Sequence, residues 1–307
     1  PLANTSGHQG LLLSIARATS VIVLDRFDPD AVLDLVERHG VNILSGTPTM
    51  FRLLWDAGAP SRDLSSILSF GGGGDYFDVE LVNRFRALPR GADAPAFFVT
   101  GYGMTETAGQ VTQAFPAPEF DGDLGIVQAG IDYRIVGSDG APVPAGEVGE
   151  LQLRGPNVTS GYWNAPDATA AAFADGWLRT GDLVRETELP RRLAFSGRGK
   201  DVILSGGNTI YPPEIERVLL EHPAVARAAV VGLPDPLMGE VPVVAVELQP
   251  DAAIDDAALL EWLRPRLAPY QRPRAVHRMA LPTSADLKVK RRLVRDLLAA
   301  RDGRSPG

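Results

Sequence analysis

Apolar and polar positions change rhythm twice along this chain of 307 residues. Residues 20–25 (SVIVLD) are a β-branched apolar run, which predicts a buried strand. Residues 28–39 then carry a helical pattern, with Pro29 near the start, acids in the first turn and Gly40 as a stop. A second strand is predicted at 41–45 and a helix at 47–55 behind Pro48. Strand 67–70, the glycines 71–74 and helix 79–87 repeat the unit, and 96–100 adds one more short strand. Strand alternating with helix predicts a parallel sheet covered by helices.

The texture changes near Pro118. Short β-like runs at 133–136, 149–154 and 192–195, broken by Gly, Pro and Asp, predict a small antiparallel sheet or barrel, with a short helix at 169–174. It changes again near Lys200. Helix 213–222, strands 225–233 and 242–248, helix 255–264 bounded by Pro265, strand 275–281 and helix 290–300 predict a compact α/β domain. The expected organisation is therefore α/β and α+β in three parts, 1–117, 118–199 and 200–307, and the tail after Arg301 (DGRSPG) is expected to be disordered.

Composition narrows this only a little. Apolar content of 45% and charge of 22% are ordinary for a globular protein. No run approaches the ~20 apolar residues of a membrane span. The absence of Cys excludes disulfides, thiolate metal sites and a cysteine nucleophile, and fits a cytoplasmic location. The net charge of −8 argues against general nucleic-acid affinity. The chain starts at Pro1 and shows no signal-peptide pattern.

Several segments could carry chemistry. The glycines 71–74 after a strand allow close approach to a ligand, or simply a tight turn. Tyr102, Thr105 and Glu106 in GYGMTE follow a strand of a parallel sheet, where ligands collect beyond the carboxyl ends; they offer a flat ring, a hydroxyl and a hard oxygen ligand for Mg²⁺. Asp182 in TGD can accept hydrogen bonds from both hydroxyls of a ribose, or close a turn. Arg198 and Lys200 stand at the second texture change, as solvated linker cations or as ligand contacts. The four histidines, His8, His39, His222 and His277, have no spacing that suggests a metal site.

The order and spacing of GYGMTETAG (101–109), GELQLRGPNVTSGYW (149–163), GWLRTGDL (176–183), GRGKDVILSGGNTIYPPEIE (197–216) and Lys288 resemble the adenylate-forming superfamily of acyl-CoA synthetases, adenylation domains and luciferases. The wording is most like a fatty- or aromatic-acyl-CoA ligase. The resemblance implies ATP/AMP, Mg²⁺ and coenzyme A as ligands and a carboxylic acid as substrate, with no nucleic-acid partner and a homodimer allowed for. It implies that Gly73, Gly74 and Asp75 wall the adenine site, that Tyr102 and Gly103 pack on the base, that Thr105 meets the α-phosphate and that Glu106 holds the metal. Asp182 and Arg198 would hold the ribose, Lys200 would be the hinge, and Gly206 and Gly207 would line the tunnel for the pantetheine arm. Lys288 would reach the reacting carboxylate and phosphate, with Lys290 as runner-up, and Asn4 and His8 would belong to the acyl pocket. Tyr162 and Trp163 are read as packing.

Three departures from the family pattern stand out. Leu287 replaces the Gly before the lysine, Arg179 replaces a His, and Asn4 stands where an aromatic or His is usual. The family's Ser/Thr/Gly-rich phosphate loop ending in Pro-Lys-Gly has no counterpart here. The resemblance therefore implies the C-terminal part of a larger ligase: a partial large N-terminal domain (parallel βα sheet plus small antiparallel β-barrel) followed by a small α/β C-terminal domain. It implies apolar surface left exposed and no activity in the isolated chain. Loading of a carrier protein, and a non-catalytic nucleotide-binding or scaffold role, remain alternatives.

Overall fold

A computed structural model describes residues 2, 5–75, 77–91, 93–250, 252–284 and 287–301; Asn4 and the tail after Arg301 lie outside the described residues. The chain divides into two compact units, 1–180 with 184–195, and 181–183 with 196–307.

The first unit opens with helix α1 (Thr5–Ala16), which buries none of its residues. Helices α2 (Pro29–His39), α3 (Pro48–Asp56) and α4 (Val79–Ala87) alternate with strands β1 (Ile43–Gly46), β2 (Ser69–Gly72) and β3 (Phe97–Val99). The starts of the helices are written locally: Asp28, Thr47 and Asp78 each accept a hydrogen bond from a backbone N–H of the first turn. The three strands pair in parallel in the order β1-β2-β3. One sheet face is dry: Phe51 lies edge-on to Phe70, Phe77 and Phe85, and Leu33, Val82 and Phe98 complete that core. Ile43 (64% exposed) and Phe97 (49%) are uncovered among the described residues.

Residues 20–25 differ from expectation. They form no strand, and Val21 to Leu24 are exposed. A β-branched run becomes a strand only where a neighbour takes its backbone groups and a core takes its side chains. Among the described residues neither is offered. Helix α1 was not foreseen either; its His8 was expected only as part of an acyl pocket.

Beyond β3 come the short pair β4 (Gly103–Met104) and β5 (Gly109–Gln110). A seven-stranded sheet follows, built from β6 (Thr112–Gln113), β7 (Asp123–Val127), β8 (Asp132–Val136), β9 (Gly149–Arg154), β10 (Phe173–Ala174), β11 (Trp177–Glu186) and β12 (Arg192–Arg198), in the order β6-β7-β12-β11-β9-β8 with β10 on β11. Val111, Leu151, Leu153, Val184 and Leu193 form its core. The short helix here, α5, is Pro166–Ala172 rather than 169–174, because Pro166 at its first turn sets the start and extended Phe173 ends it. The Asp123 side chain is fully buried and holds Arg192 on two oxygens while accepting the N–H groups of Glu119 and Gly125.

The second unit is an antiparallel sheet with helices on both faces. Strands β13 (Ile203–Ser205), β14 (Asn208–Ile210), β15 (Val225–Asp235) and β16 (Gly239–Leu248) run in the order β14-β13-β16-β15, and β17 (Ala275–Arg278) joins β16 in parallel. Val230 and Val231 point to opposite faces, as a period of two requires. Val230 joins Ile215 and Leu219 of α6 (Pro212–Leu220) and Leu259 and Leu263 of α7 (Asp256–Leu263). Val231 joins Val294 and Leu298 of α8 (Arg291–Arg301). Two dry faces explain why 225–233 reads as a nearly unbroken apolar run.

Candidate functional site

In the first unit the expected residues gather past the carboxyl end of β3. The backbone of Tyr102 is pinned on both sides: its N–H donates to Thr112 Oγ1 (2.9 Å) and its carbonyl accepts from Val111 (2.8 Å). Its ring is half-buried against the core of the large sheet. Gly103 is required by close approach, since a Cβ there would lie 2.0 Å from the Gly109 carbonyl oxygen. Residues 105–107 form a single 3₁₀ turn, closed by Thr107 Oγ1, which accepts from the Met104 N–H and donates to the Gly109 carbonyl (2.6 Å). The turn leaves Thr105 exposed and Glu106 half-buried on the outside of the chain reversal. Gly73 lies against this segment: a Cβ there would stand 3.7 Å from the Gly101 carbonyl oxygen. Gly74 and Asp75 are exposed beside it, Gly74 at φ 83°.

The turn has supports that the sequence did not announce. Tyr162 donates its hydroxyl to Glu106 Oε1 (2.6 Å), the Thr159 N–H donates to the Glu106 carbonyl (2.7 Å), and Asn157 donates to the Thr107 carbonyl (2.9 Å). The hydrogen bond to Glu106, with some burial, holds the Tyr162 phenol above its ordinary pKa. Reading Tyr162 and Trp163 as packing is thereby corrected: Tyr162 is 42% exposed and Trp163 is 91% exposed. From α1, Thr5 shares a hydrogen bond with Thr105 (Oγ1 to Oγ1, 3.0 Å) and Gln9 donates to the Ala108 carbonyl (3.1 Å). Thr5 and Gln9 are four apart, so they occupy one helix face, and that spacing was the available signal. His8 is exposed on the same helix.

In the second unit, Asp182 is buried and lies 3.1 Å from Arg198 Nε. Lys200 is exposed in the 3₁₀ turn Gly199–Asp201. Gly206 and Gly207 form the turn between β13 and β14, both at positive φ (55° and 81°), where a larger residue is strained. Gly206 donates its N–H to the Met238 carbonyl (2.8 Å).

Lys288 is half-buried in a loop that is fastened at both ends. Leu281 N–H donates to Glu247 Oε1 (2.5 Å) and Lys290 N–H donates to the Pro282 carbonyl (2.8 Å). Ser284 and Lys288 bond to one another, and Arg227 donates to the Leu287 carbonyl (3.2 Å). Leu287, standing where the family pattern has Gly, adopts φ 63°. Lys290 is exposed and precedes α8.

The residues fit the ligands at the level of donor chemistry. Among the described residues no three His, Asp or Glu side chains come together as a metal-holding group. Glu106 offers the kind of hard carboxylate oxygen that Mg²⁺ takes, one or two carboxylates with its other positions left to water and phosphate. No helix among the described residues is long and apolar enough to cross a membrane.

Comparison with known proteins gives the same direction. Residues 1–163 match the AMP-binding enzyme family and residues 214–288 match the AMP-binding enzyme C-terminal domain. The chain is 40% identical over 290 residues to a feruloyl-CoA synthase of Amycolatopsis, covering 92% of this chain and 57% of that protein. It is 36% identical to a long-chain-fatty-acid–CoA ligase of Bacillus subtilis, covering 91% of this chain and 50% of the relative. The chain thus spans about half the length of the curated relatives it matches. The o-succinylbenzoate coenzyme A synthetase of Bacillus subtilis, solved with ATP and magnesium ion, superposes with a TM-score of 0.83 at 33% identity, over 96% of this chain and 60% of that one. From its motifs, its fold and these matches, the chain belongs to the AMP-binding enzyme family.

Proposed function

We propose that the protein activates a carboxylic acid with ATP, giving an acyl-adenylate and pyrophosphate, and then transfers the acyl group to the thiol of coenzyme A with release of AMP. Glu106 carries this reading: a half-buried carboxylate beside the Thr105 hydroxyl, past the end of a parallel strand, oriented by a phenol at 2.6 Å. Glu106 would hold the metal, and Mg²⁺ bound there supplies positive charge to phosphate oxygens. Thr105 donates to the α-phosphate, and the Tyr102 ring, with Gly73, Gly74 and Asp75 nearby, offers a face and an edge for adenine. Asp182 accepts from the ribose hydroxyls and is kept in place by Arg198. Lys288 brings an ammonium to the attacking carboxylate and the phosphate, which lowers the barrier because the charge is already in position. A turn about Lys200 then exchanges Lys288 for the Gly206–Gly207 hairpin, whose bare backbone lets the pantetheine arm pass. His8 stays a candidate for the acyl pocket.

The feruloyl-CoA synthase and the long-chain-fatty-acid–CoA ligase among the relatives support an aromatic or a fatty acid as substrate. The test is ATP–pyrophosphate exchange in the protein as its gene encodes it, with ferulate, indoleacetate, 2-succinylbenzoate and a long-chain fatty acid. One of these acids should support exchange, and added coenzyme A should convert it to the thioester. Lys288→Ala should lower exchange about 10²- to 10³-fold, in the range of losing one preorganised electrostatic group. Absence of exchange with every acid would leave a non-catalytic nucleotide-binding or scaffold role instead, and exchange that is indifferent to Lys288→Ala would remove Lys288 from the adenylation step. Exchange without transfer to free coenzyme A would point to a carrier protein as acceptor.

A further inference from the structure

Strand β15 is the end strand of its sheet among the described residues, and its outer backbone groups need partners. Glu216 of α6, only 8% exposed, supplies one: its Oε1 accepts the Val230 N–H at 2.8 Å. The same carboxylate takes Arg291 on both oxygens, Nε at 3.2 Å and Nη2 at 2.5 Å. Glu216 comes from the helix on one sheet face and Arg291 from the helix on the other, so the pair closes around the strand edge. A two-point, charged contact of this kind fixes direction as well as distance. Arg291 is the first residue of α8, three positions after Lys288, and its Nη1 lies 4.0 Å from Asp201 in the turn that holds Lys200.

One helical turn further on, Arg295 Nη2 donates to Glu240 Oε1 at 3.0 Å. Glu240 Oε2 accepts the Leu204 N–H at 3.2 Å, two residues before Gly206. The Glu240 carboxylate can lie there only because residue 232 is glycine, since a Cβ on Gly232 would stand 2.9 Å from Glu240 Oε2. Arg291 and Arg295 are four apart and share a face of α8, and both line a cavity of about 1070 Å³ together with Lys200, Glu240 and Lys290.

We propose that this face of α8 carries two separate positioning links: Arg291–Glu216 orients the Lys288 loop, and Arg295–Glu240 orients the Gly206–Gly207 hairpin. The two carboxylates stand on different elements; the Arg291 pair sits at the end of the Lys288 loop and the Arg295 pair at the strand that enters the Gly206–Gly207 hairpin, so each half-reaction depends on its own pair. The assignment of half-reactions to the two loops rests on the function proposed above.

The test separates the halves. Pyrophosphate exchange reports adenylate formation; thioester formation from chemically made acyl-adenylate and coenzyme A reports the second step. Arg295→Met is expected to slow thioester formation about tenfold or more, the scale of one charge-assisted hydrogen bond, with exchange within about twofold of the unsubstituted protein. Arg295→Lys should recover most of the loss, and Arg291→Met should show the opposite split. A parallel fall of both steps in either variant, or no change in thioester formation in Arg295→Met, overturns the proposal. Should no acid support exchange, the functional reading fails by itself, and the link is judged by amide hydrogen exchange. Glu240→Ala must then speed exchange at Leu204 about tenfold and leave Val230 unchanged; an unchanged Leu204 rate overturns it.

Discussion

Leu287 holds φ 63° directly before the proposed catalytic lysine. For an L-residue this region costs roughly 1–2 kcal/mol, from the Cβ crowding the following carbonyl oxygen. Glycine escapes that cost but gives up about 0.5–1 kcal/mol through the greater freedom of its unfolded chain. The side chain of Leu287 also buries some surface, so a comparison with the native residue would mix two effects. Leu287→Gly against Leu287→Ala removes the second. Both lose the isobutyl group, and only alanine keeps the strain. The glycine variant should be the more stable by about 0.5–1 kcal/mol, the reverse of the order in ordinary secondary structure. Urea unfolding of the second unit, followed by NMR on the indole N–H of Trp262, would read this as a midpoint shift of roughly 0.5 M. An alanine variant equal to or more stable than the glycine variant refutes the reasoning. It would mean that the Arg227 and Ser284 hydrogen bonds in this loop do not hold residue 287 left-handed.

Two further outcomes follow from the first unit. Tyr162→Phe deletes the hydrogen bond to Glu106 without touching a core, so folding should be unchanged; the loss should be about tenfold in exchange rate, on the scale of a bond to a charged acceptor. A rate within twofold across a magnesium titration would show that the phenol does not orient the carboxylate. Tyr133 has its pKa pushed up to about 12 by burial first and by its hydrogen bond to Glu186 second. A raised folded-state pKa means that the contribution of Tyr133 is complete below its unfolded value near 10. It is then lost as pH rises from there towards 12. Unfolding of the protein and of Tyr133→Phe should diverge in that window, the native residue losing ground; parallel curves would contradict the burial argument.

The sequence made plain whatever is local. Helix 79–87 and strand 149–154 were read with the bounds they have, since an Asp cap and an alternating pattern need no knowledge of neighbours. Residues 20–25 failed because a strand is a property of a pair. The long strand Trp177–Glu186 went unassigned because TGD within it looks like a turn; Gly181, at φ 70°, is accommodated inside the ladder instead. In the candidate site, Thr105, Glu106, Asp182 and Arg198 were visible as chemistry. Tyr162, Thr5 and Gln9 were not, because a tyrosine before a tryptophan reads as packing, and the four-residue spacing of Thr5 and Gln9 marks a shared helix face without naming a partner about a hundred residues away.

The hairpin of β15 and β16 has a consequence for the order of assembly. Its register runs from Val225↔Leu248 to Asp235↔Gly239, so the longest ladder of the second unit closes over residues 236–238 alone. Asp235 shapes that bend by accepting the N–H groups of Leu237 and Met238. Bringing such near neighbours together costs little chain entropy, and contacts of short sequence separation form early. The parallel partner β17 begins 27 residues after β16 ends, must wait for α7, and meets a surface already laid down. The segment leading to Lys288 is therefore expected to join late, on a platform that the hairpin has already laid down.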